Sequence, residues 1–169
     1  LERVGRYHPS RLVICAVHPG RTTIDAWASV AAEEAEGPFS LGREQVEIEI
    51  GERHLKALDT IVDPLLVPDL ATVVWAPHAH AEAVDSLRGL ASSVLIDSLD
   101  FPDWREATAR ILEISENADV SDLVWLRSTP WRERIAAAFD PEIFRAELDE
   151  INRVVIRMHP GSTMAALLY

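Results

Sequence analysis

The sequence predicts an α/β fold, in which a mixed sheet combines a parallel βαβ portion with an antiparallel N-terminal portion and carries packed helices. Three continuous apolar runs of strand length, at residues 11–18, 71–76 and 94–96, indicate buried strands. Because a helical pattern joins the last two runs, they should form a right-handed parallel crossover. Apolar and polar residues alternate in residues 24–30 and 46–50, and this period of two predicts half-exposed antiparallel strands.

Apolar side chains at helical spacing predict helices between and after these strands. The helical faces are Leu55, Leu58 and Val62; Val84, Leu87 and Ala91; Trp104, Ala107, Ile111 and Ile114; Trp131, Ile135 and Ala138; and Phe144, Leu148 and Ile151. Pro64 should end the first helix, while Thr129 and Asp140 should each cap a helix whose first residue is proline. Residues 154–158 show a strand pattern and precede a final helix after Gly161.

Composition and charge narrow the class of protein. The chain has 169 residues, 48% of them hydrophobic, with five tryptophans, which predicts one domain over residues 1–169 with a substantial core. Because it opens at Leu1 and closes on an apolar run, we expect a fragment of a longer chain. The net charge of −12 argues against nucleic acid and anionic membranes as partners. No stretch reaches the length of about 18 apolar residues that would indicate a membrane span. A single cysteine cannot form an internal disulfide, which favours a reducing, cytoplasmic setting.

The sequence contains none of the common catalytic motifs. A glycine-rich dinucleotide fingerprint, a phosphate loop, a nucleophile elbow and a zinc-protease motif are all absent. We therefore expect no catalytic residues, no cofactor and no metal. His78 and His80 follow a predicted strand and Asp97 ends the next one, but this is a weak metal-binding pattern, and solvated histidines are more common.

Two other features have ordinary structural explanations. Glu47 and Glu49 share one face of a strand and could be paired catalytic acids, but a solvated edge strand protected by charge is the favoured interpretation. Cys15 lies within an apolar strand, where burial should raise the pKa of its thiol and leave it inert.

Residues 122–134 are the part of the sequence richest in interface-forming side chains. They contain two tryptophans and three arginines, which are residue types that contribute most to binding energy at protein interfaces. The first candidates for contact with a partner are therefore Arg127, Thr129, Trp131 and Arg132. The alternative is that both tryptophans belong to the core, although the arginines would still need water or acidic partners.

This segment resembles the OpcA family of bacterial glucose-6-phosphate dehydrogenase assembly proteins. Residues 122–140, DLVWLRSTPWRERIAAAFD, are similar to the most characteristic stretch of that family. Residues 8–11 (HPSR), 64–75 (PLLVPDLATVVW) and 94–98 (VLIDS) agree with it in order and spacing. The resemblance implies a non-catalytic partner that promotes assembly or activation of the dehydrogenase, and it implies that the C-terminal portion of the family is missing here.

The sequence leaves two functions of different class open. The leading hypothesis is a cytoplasmic, non-catalytic protein that binds glucose-6-phosphate dehydrogenase and promotes its active oligomeric state, with His8 and Arg11 as second candidates for contact. The alternative is a domain that binds a sugar phosphate or nucleotide at the strand ends through His78, Asp97, Ser162 and Thr163. The last two could hold a phosphate on helix-start amides, although an ordinary helix cap is more common. A purely structural domain and a homo-oligomer are also compatible with the sequence.

Overall fold

The structure is a computed structural model that describes residues 10–33 and 41–157, and it confirms the α/β class. The described strands are β1 (Ser10–His18), β2 (Asp25–Glu33), β3 (Leu41–Gly51), β4 (Val73–Trp75), β5 (Ser93–Ile96) and β6 (Asp119–Asp122). The described α-helices are α1 (Leu58–Val62), α2 (Ala81–Leu87), α3 (Trp104–Ser115), α4 (Leu123–Arg127), α5 (Thr129–Ala138) and α6 (Glu142–Arg145). Short 3-10 helices at Glu52–Ala57 and Asp63–Leu65 flank α1. The mixed and the parallel portions form two separate three-stranded sheets.

The first sheet has the strand order β1-β3-β2, with β1 parallel and β2 antiparallel to β3. Ile48 and Ile50 alternate onto one face of β3 and are buried against α1 and the 3-10 helix before it. Glu47 and Glu49 lie on the other face. The expected edge strand is wrong, because β3 is the central strand, and Glu49 forms an ion pair with Arg21 at 2.8 Å.

A glycine is required where β3 turns into the helical layer. Gly51 has an extended backbone with φ −99°, but a Cβ at this position would lie 1.8 Å from the carbonyl oxygen of Arg21. The Gly51 N–H donates a hydrogen bond to Nδ1 of His54 at 3.1 Å. The chain can therefore pass directly from the sheet into the helices that cover it.

The second sheet is entirely parallel, with the strand order β4-β5-β6. The predicted parallel crossover is confirmed, whereas β6, with the polar sequence DVSD, was not expected. Val94 and Ile114 are fully buried at the centre of its core. Ala83 of α2 packs into the core of the first sheet, and the next residue, Val84, packs into the core of the second. Helix α2 therefore joins the two cores.

The five tryptophans do not form the core. Trp27, Trp75, Trp104, Trp125 and Trp131 are each at least 44% exposed. The buried apolar side chains of the described residues are isoleucine, leucine, valine and alanine. Branched aliphatic side chains therefore fill the interior, and the large aromatic rings remain available at the surface.

The chain beyond β6 differs most from expectation. Residues 151–157 form no strand, so the predicted strand at 154–158 is wrong for residues 154–157, and Met158 lies outside the described residues. Branched side chains favour a strand only when a neighbouring strand supplies hydrogen bonds, and no described strand pairs with this segment. Helices α5 and α6 are present near the predicted starts, but neither contains a buried residue.

Candidate functional site

The candidate site is the α4–α5 surface, and Asp122 fixes its position at the end of β6. Oδ1 of Asp122 accepts hydrogen bonds from the Val124 N–H (3.1 Å), which caps α4, and from the Ser98 N–H (3.0 Å). Oδ2 accepts a third hydrogen bond from the Ser98 hydroxyl at 3.0 Å. One carboxylate therefore ties the start of α4 to the segment that follows β5. We define the α4–α5 surface as Trp125, Leu126, Arg127, Thr129, Trp131, Arg132 and Ile135.

Ser128 sets the direction in which the chain enters α5. It is fully buried, and its hydroxyl donates a hydrogen bond to the Trp125 carbonyl at 2.7 Å. Its own carbonyl accepts hydrogen bonds from the N–H groups of Trp131 (3.0 Å) and Arg132 (3.1 Å). Ser128 occupies the N-cap position, so the predicted cap at Thr129 is displaced by one residue. Ser128 is not among the candidates from the sequence, although serine is one of the residue types preferred at the N-cap.

Arg132 is held in place by neutral groups. Its guanidinium carbon lies 3.6 Å from the centre of the Trp125 ring. Nε donates to the Ser128 hydroxyl (3.2 Å), and Nη2 donates to the Trp125 carbonyl (3.2 Å) and to the Thr129 hydroxyl (2.9 Å). The planar guanidinium is thus both stacked and hydrogen-bonded, the arrangement that arginine supports and lysine does not.

Arg127 forms an ion pair with Asp97, which joins two residues that the sequence assigned to rival functions. The distance from Nη2 to Oδ2 is 2.5 Å, and the side chains are 45% and 19% exposed. Oδ1 of Asp97 also accepts a hydrogen bond from the Leu99 N–H at 3.2 Å. Asp97 is therefore committed to contacts within the protein, and Arg127 is largely neutralised.

The apolar members of the surface face solvent. Trp131 and Ile135, one turn apart on α5, are 55% and 52% exposed, and Leu126 of α4 is 49% exposed. The alternative in which both tryptophans of this segment belong to the core is wrong, because Trp125 is 44% exposed as well. The structure thus leaves this aromatic and aliphatic surface without a partner among the described residues.

The second group of predicted contact residues lies elsewhere. Arg11 is on β1 of the first sheet, where its guanidinium bonds to the Glu44 carboxylate at 2.6 Å and to the Leu65 carbonyl at 2.7 Å. The structure does not bring Arg11 into the α4–α5 surface. His8 lies outside the described residues.

Of the residues of the alternative ligand site, the structure describes His78 and Asp97, and these two line different cavities. His78 has a left-handed backbone (φ 63°) and an exposed side chain, and its N–H donates to Oδ2 of Asp100 at 2.8 Å. It lines a cavity of about 570 Å³, whereas Asp97 lines a different cavity of about 410 Å³. Ser162 and Thr163 lie outside the described residues.

The smaller cavity is a poor place for a phosphate. Four carboxylate side chains line it, those of Asp97, Asp100, Glu106 and Glu113, together with Arg110. Nη2 of Arg110 bonds to Asp85 at 2.6 Å and Nη1 bonds to Glu113 at 2.8 Å. Partial burial lowers the pKa of Arg110, but the two carboxylates together raise it by more. The pKa of Arg110 therefore lies above its ordinary value. The guanidinium of Arg110 is therefore already paired with carboxylates of the protein and offers little attraction to a bound anion.

Other functional chemistry is limited in the described part of the chain. No three of its histidine, cysteine, aspartate and glutamate side chains are grouped as a metal site would need. Burial raises the pKa of the Cys15 thiol, as predicted, so the reactive thiolate is disfavoured. None of the helices in the described ranges is long and apolar enough to span a bilayer.

Comparison with protein families shows that two family models together match nearly the whole chain. Two family models match, and both are described as domains of a glucose-6-phosphate dehydrogenase subunit: its N-terminal domain matches residues 2–113, and its C-terminal domain matches residues 118–169. The α4–α5 surface lies in the second match. The two matched regions are joined in the second sheet, because β6 pairs with β5.

Three curated relatives bear the name OxPP cycle protein OpcA. The relative from Synechococcus elongatus is 28% identical over 173 residues, which covers 98% of this chain and 39% of the relative. Those from Synechocystis sp. and Nostoc punctiforme are 28% and 29% identical over 119 residues, covering 68% of this chain and 25% and 26% of their own lengths. The chain thus spans well under half of the length of these relatives, and no solved structure matches it. Since the first family model alone covers more than half of the chain, the protein belongs to the OpcA family, the glucose-6-phosphate dehydrogenase assembly family.

Proposed function

We propose that this protein is a non-catalytic partner that binds glucose-6-phosphate dehydrogenase in the cytoplasm and favours its active oligomeric state. Its family and the names of its relatives associate it with that enzyme and with the oxidative pentose phosphate pathway. Because the chain spans less than half of those relatives, the activity and the partner of the whole protein belong to this proposal.

The exposed α4–α5 surface is the observation that carries the proposal. It combines tryptophan and arginine, the residue types most enriched among energetically dominant interface residues. Trp131 is 55% exposed, and Arg132 is already fixed by its stack on Trp125 and three hydrogen bonds. A side chain that is ordered before binding loses less conformational entropy when the complex forms. The surface is therefore suited to docking another protein.

Activation by such a partner has a simple physical requirement. The protein can shift the enzyme toward an active oligomer only if it binds that arrangement more tightly than the inactive one. By the same linkage, the active arrangement of the enzyme must bind the protein more tightly than the inactive arrangement does. The two proteins should therefore form a complex whose amount and activity rise together.

The experiment measures the activity of the dehydrogenase from the same organism with and without the full-length protein, together with co-elution on a sizing column. We expect higher activity and a joint peak. The variant Trp131→Ala/Arg132→Ala should bind more weakly in a pull-down, with unchanged circular dichroism. The absence of both activation and co-elution, with both proteins folded, would contradict the proposal.

A matched control lies on α3. Arg105 stacks on Trp104 with its guanidinium 4.8 Å from the ring centre, and Trp104 is 50% exposed. The variant Trp104→Ala/Arg105→Ala removes the same two residue types from a different surface, so it should bind the enzyme as the native protein does. Equal losses in the two variants would argue against docking through the α4–α5 surface.

A further inference from the structure

Arg132 differs from Arg127, the other arginine of the α4–α5 surface, in the charge of the groups that surround it. Each of its contacts in the described residues is to a neutral group: two hydroxyls, one carbonyl and one indole ring. Arg127, by contrast, has the Asp97 carboxylate 2.5 Å away. None of the ion pairs found among the described residues involves Arg132. A half-buried guanidinium therefore has no carboxylate partner among the described residues, although the net charge of the protein is −12.

The contacts of Arg132 also leave part of the guanidinium unused. The described contacts engage Nε and Nη2, while no described group accepts a hydrogen bond from Nη1. A guanidinium binds carboxylates through directional, charge-assisted hydrogen bonds, which are stronger than those between neutral groups. The ring of Trp125, 44% exposed, lies directly beneath the same guanidinium. The arrangement thus offers a fixed cation next to an aromatic surface.

We propose, as a refinement that rests on the proposed function, that Arg132 binds a carboxylate on an acidic segment of the partner enzyme, while Trp125 packs against an apolar neighbour of that carboxylate. The complementary charge selects an Asp or Glu side chain, and the adjoining indole selects the apolar residue. Arg127 contributes less, because Asp97 already neutralises it. A free phosphate would share part of this chemistry, but it offers no apolar neighbour to the Trp125 ring.

Cross-linking can detect the carboxylate directly. Lys56 is the only lysine in the sequence, so Arg132→Lys introduces a single new side-chain amine. A carbodiimide joins an amine to a carboxylate without a spacer. At saturating concentrations of the full-length variant and the dehydrogenase, we expect mass spectrometry to find position 132 joined to an Asp or Glu of the enzyme. Arg105→Lys, on α3 beside Trp104, is the matched control and should give no such product.

Affinity supplies the second measurement. Arg132→Gln should weaken binding to the enzyme at least about tenfold, because a charged partner would lose its counter-charge, while Arg105→Gln should change it less than about twofold. An Arg132→Gln variant that binds like the native protein would overturn the inference, as would a complex with Arg132→Lys that gives no more cross-link than the Arg105→Lys control.

Two other outcomes separate this inference from the function on which it rests. If the native protein forms no complex with the dehydrogenase, the proposed function fails. If inorganic phosphate raises the melting temperature of the native protein but not of Arg132→Gln, and Arg132→Lys gives no cross-link, the site binds a small anion. The carboxylate inference then fails, while docking through the rest of the surface is still tested by the Trp131→Ala/Arg132→Ala variant.

Discussion

The described residues up to Ser128 bury part of their large apolar side chains, whereas those from Thr129 onward bury none of theirs. Every buried side chain of the described residues lies in the first region. The second region contains exposed Ile143, Phe144 and Val154 as well as Trp131 and Ile135. The first region therefore contains the core that stabilises the fold, and the second presents its large apolar side chains to solvent.

The largest difference in stability between the two regions should appear when one isoleucine of each is replaced by alanine. Ile114 is fully buried in the second core, whereas Ile135 is 52% exposed on α5. Ile114→Ala should lower the free energy of unfolding by about 2 to 5 kcal/mol, because it removes buried methyl groups and leaves a cavity. Ile135→Ala should change it by less than about 0.5 kcal/mol. Urea denaturation of both variants measures the contrast, and equal losses would show that α5 is packed into the fold.

The next effect concerns a single carboxylate that satisfies three donors. Asp122→Ala leaves the Val124 N–H and both donors of Ser98 without their acceptor. Unpaired buried donors make the expected loss of stability about 1 to 3 kcal/mol. Asp140→Ala in the second region is the control, because α6 has no side-chain cap. Thermal unfolding of the two variants should show a clear decrease only for Asp122→Ala. Similar melting temperatures would contradict the role of Asp122.

The same contrast explains what the sequence could predict. Apolar runs and helical spacing are local signals, so they located the strands of both sheets except β6. The polar sequence of β6 carries no such signal, and its strand geometry comes from pairing with β5. Residues 154–157 have the apolar pattern of a strand but no described partner strand, and they form no strand.

The candidate site shows the same limit. Residue types alone drew attention to residues 122–134, but they could not show which tryptophans are exposed. The pairing of Arg127 with Asp97 joins residues 30 positions apart in the chain, and no local pattern encodes it. Ser128 is fully buried although Arg127 before it and Trp131 after it are exposed, and no local pattern indicates this burial either.

A smaller effect should appear in the pH dependence of stability. The backbone N–H of Glu106, and to a smaller extent that of Arg105, donates a hydrogen bond to the Asp103 carboxylate. These two bonds hold the pKa of Asp103 below its ordinary value. A carboxyl whose pKa is lower in the folded state contributes stability above its unfolded pKa and loses it as the pH falls through the folded pKa. The difference in melting temperature between the native protein and Asp103→Ala should therefore be constant near neutral pH and shrink in acid. A gap for Asp103→Ala that stays constant into acid would contradict this cause.

The smallest effect on stability is expected at the residue most exposed to a partner. Trp131→Ala removes a side chain that is 55% exposed on a helix without buried residues, so the free energy of unfolding should change by less than about 0.5 kcal/mol. Its main-chain N–H still donates to the Ser128 carbonyl, which keeps the start of α5 in place. Binding to the dehydrogenase should nevertheless weaken, because truncating an exposed tryptophan at an interface commonly costs more than about 1 kcal/mol of binding free energy. Urea denaturation and titration calorimetry on the same sample test both halves. A large loss of stability would place Trp131 in the fold rather than at the interface, and unchanged affinity would remove it from the contact surface.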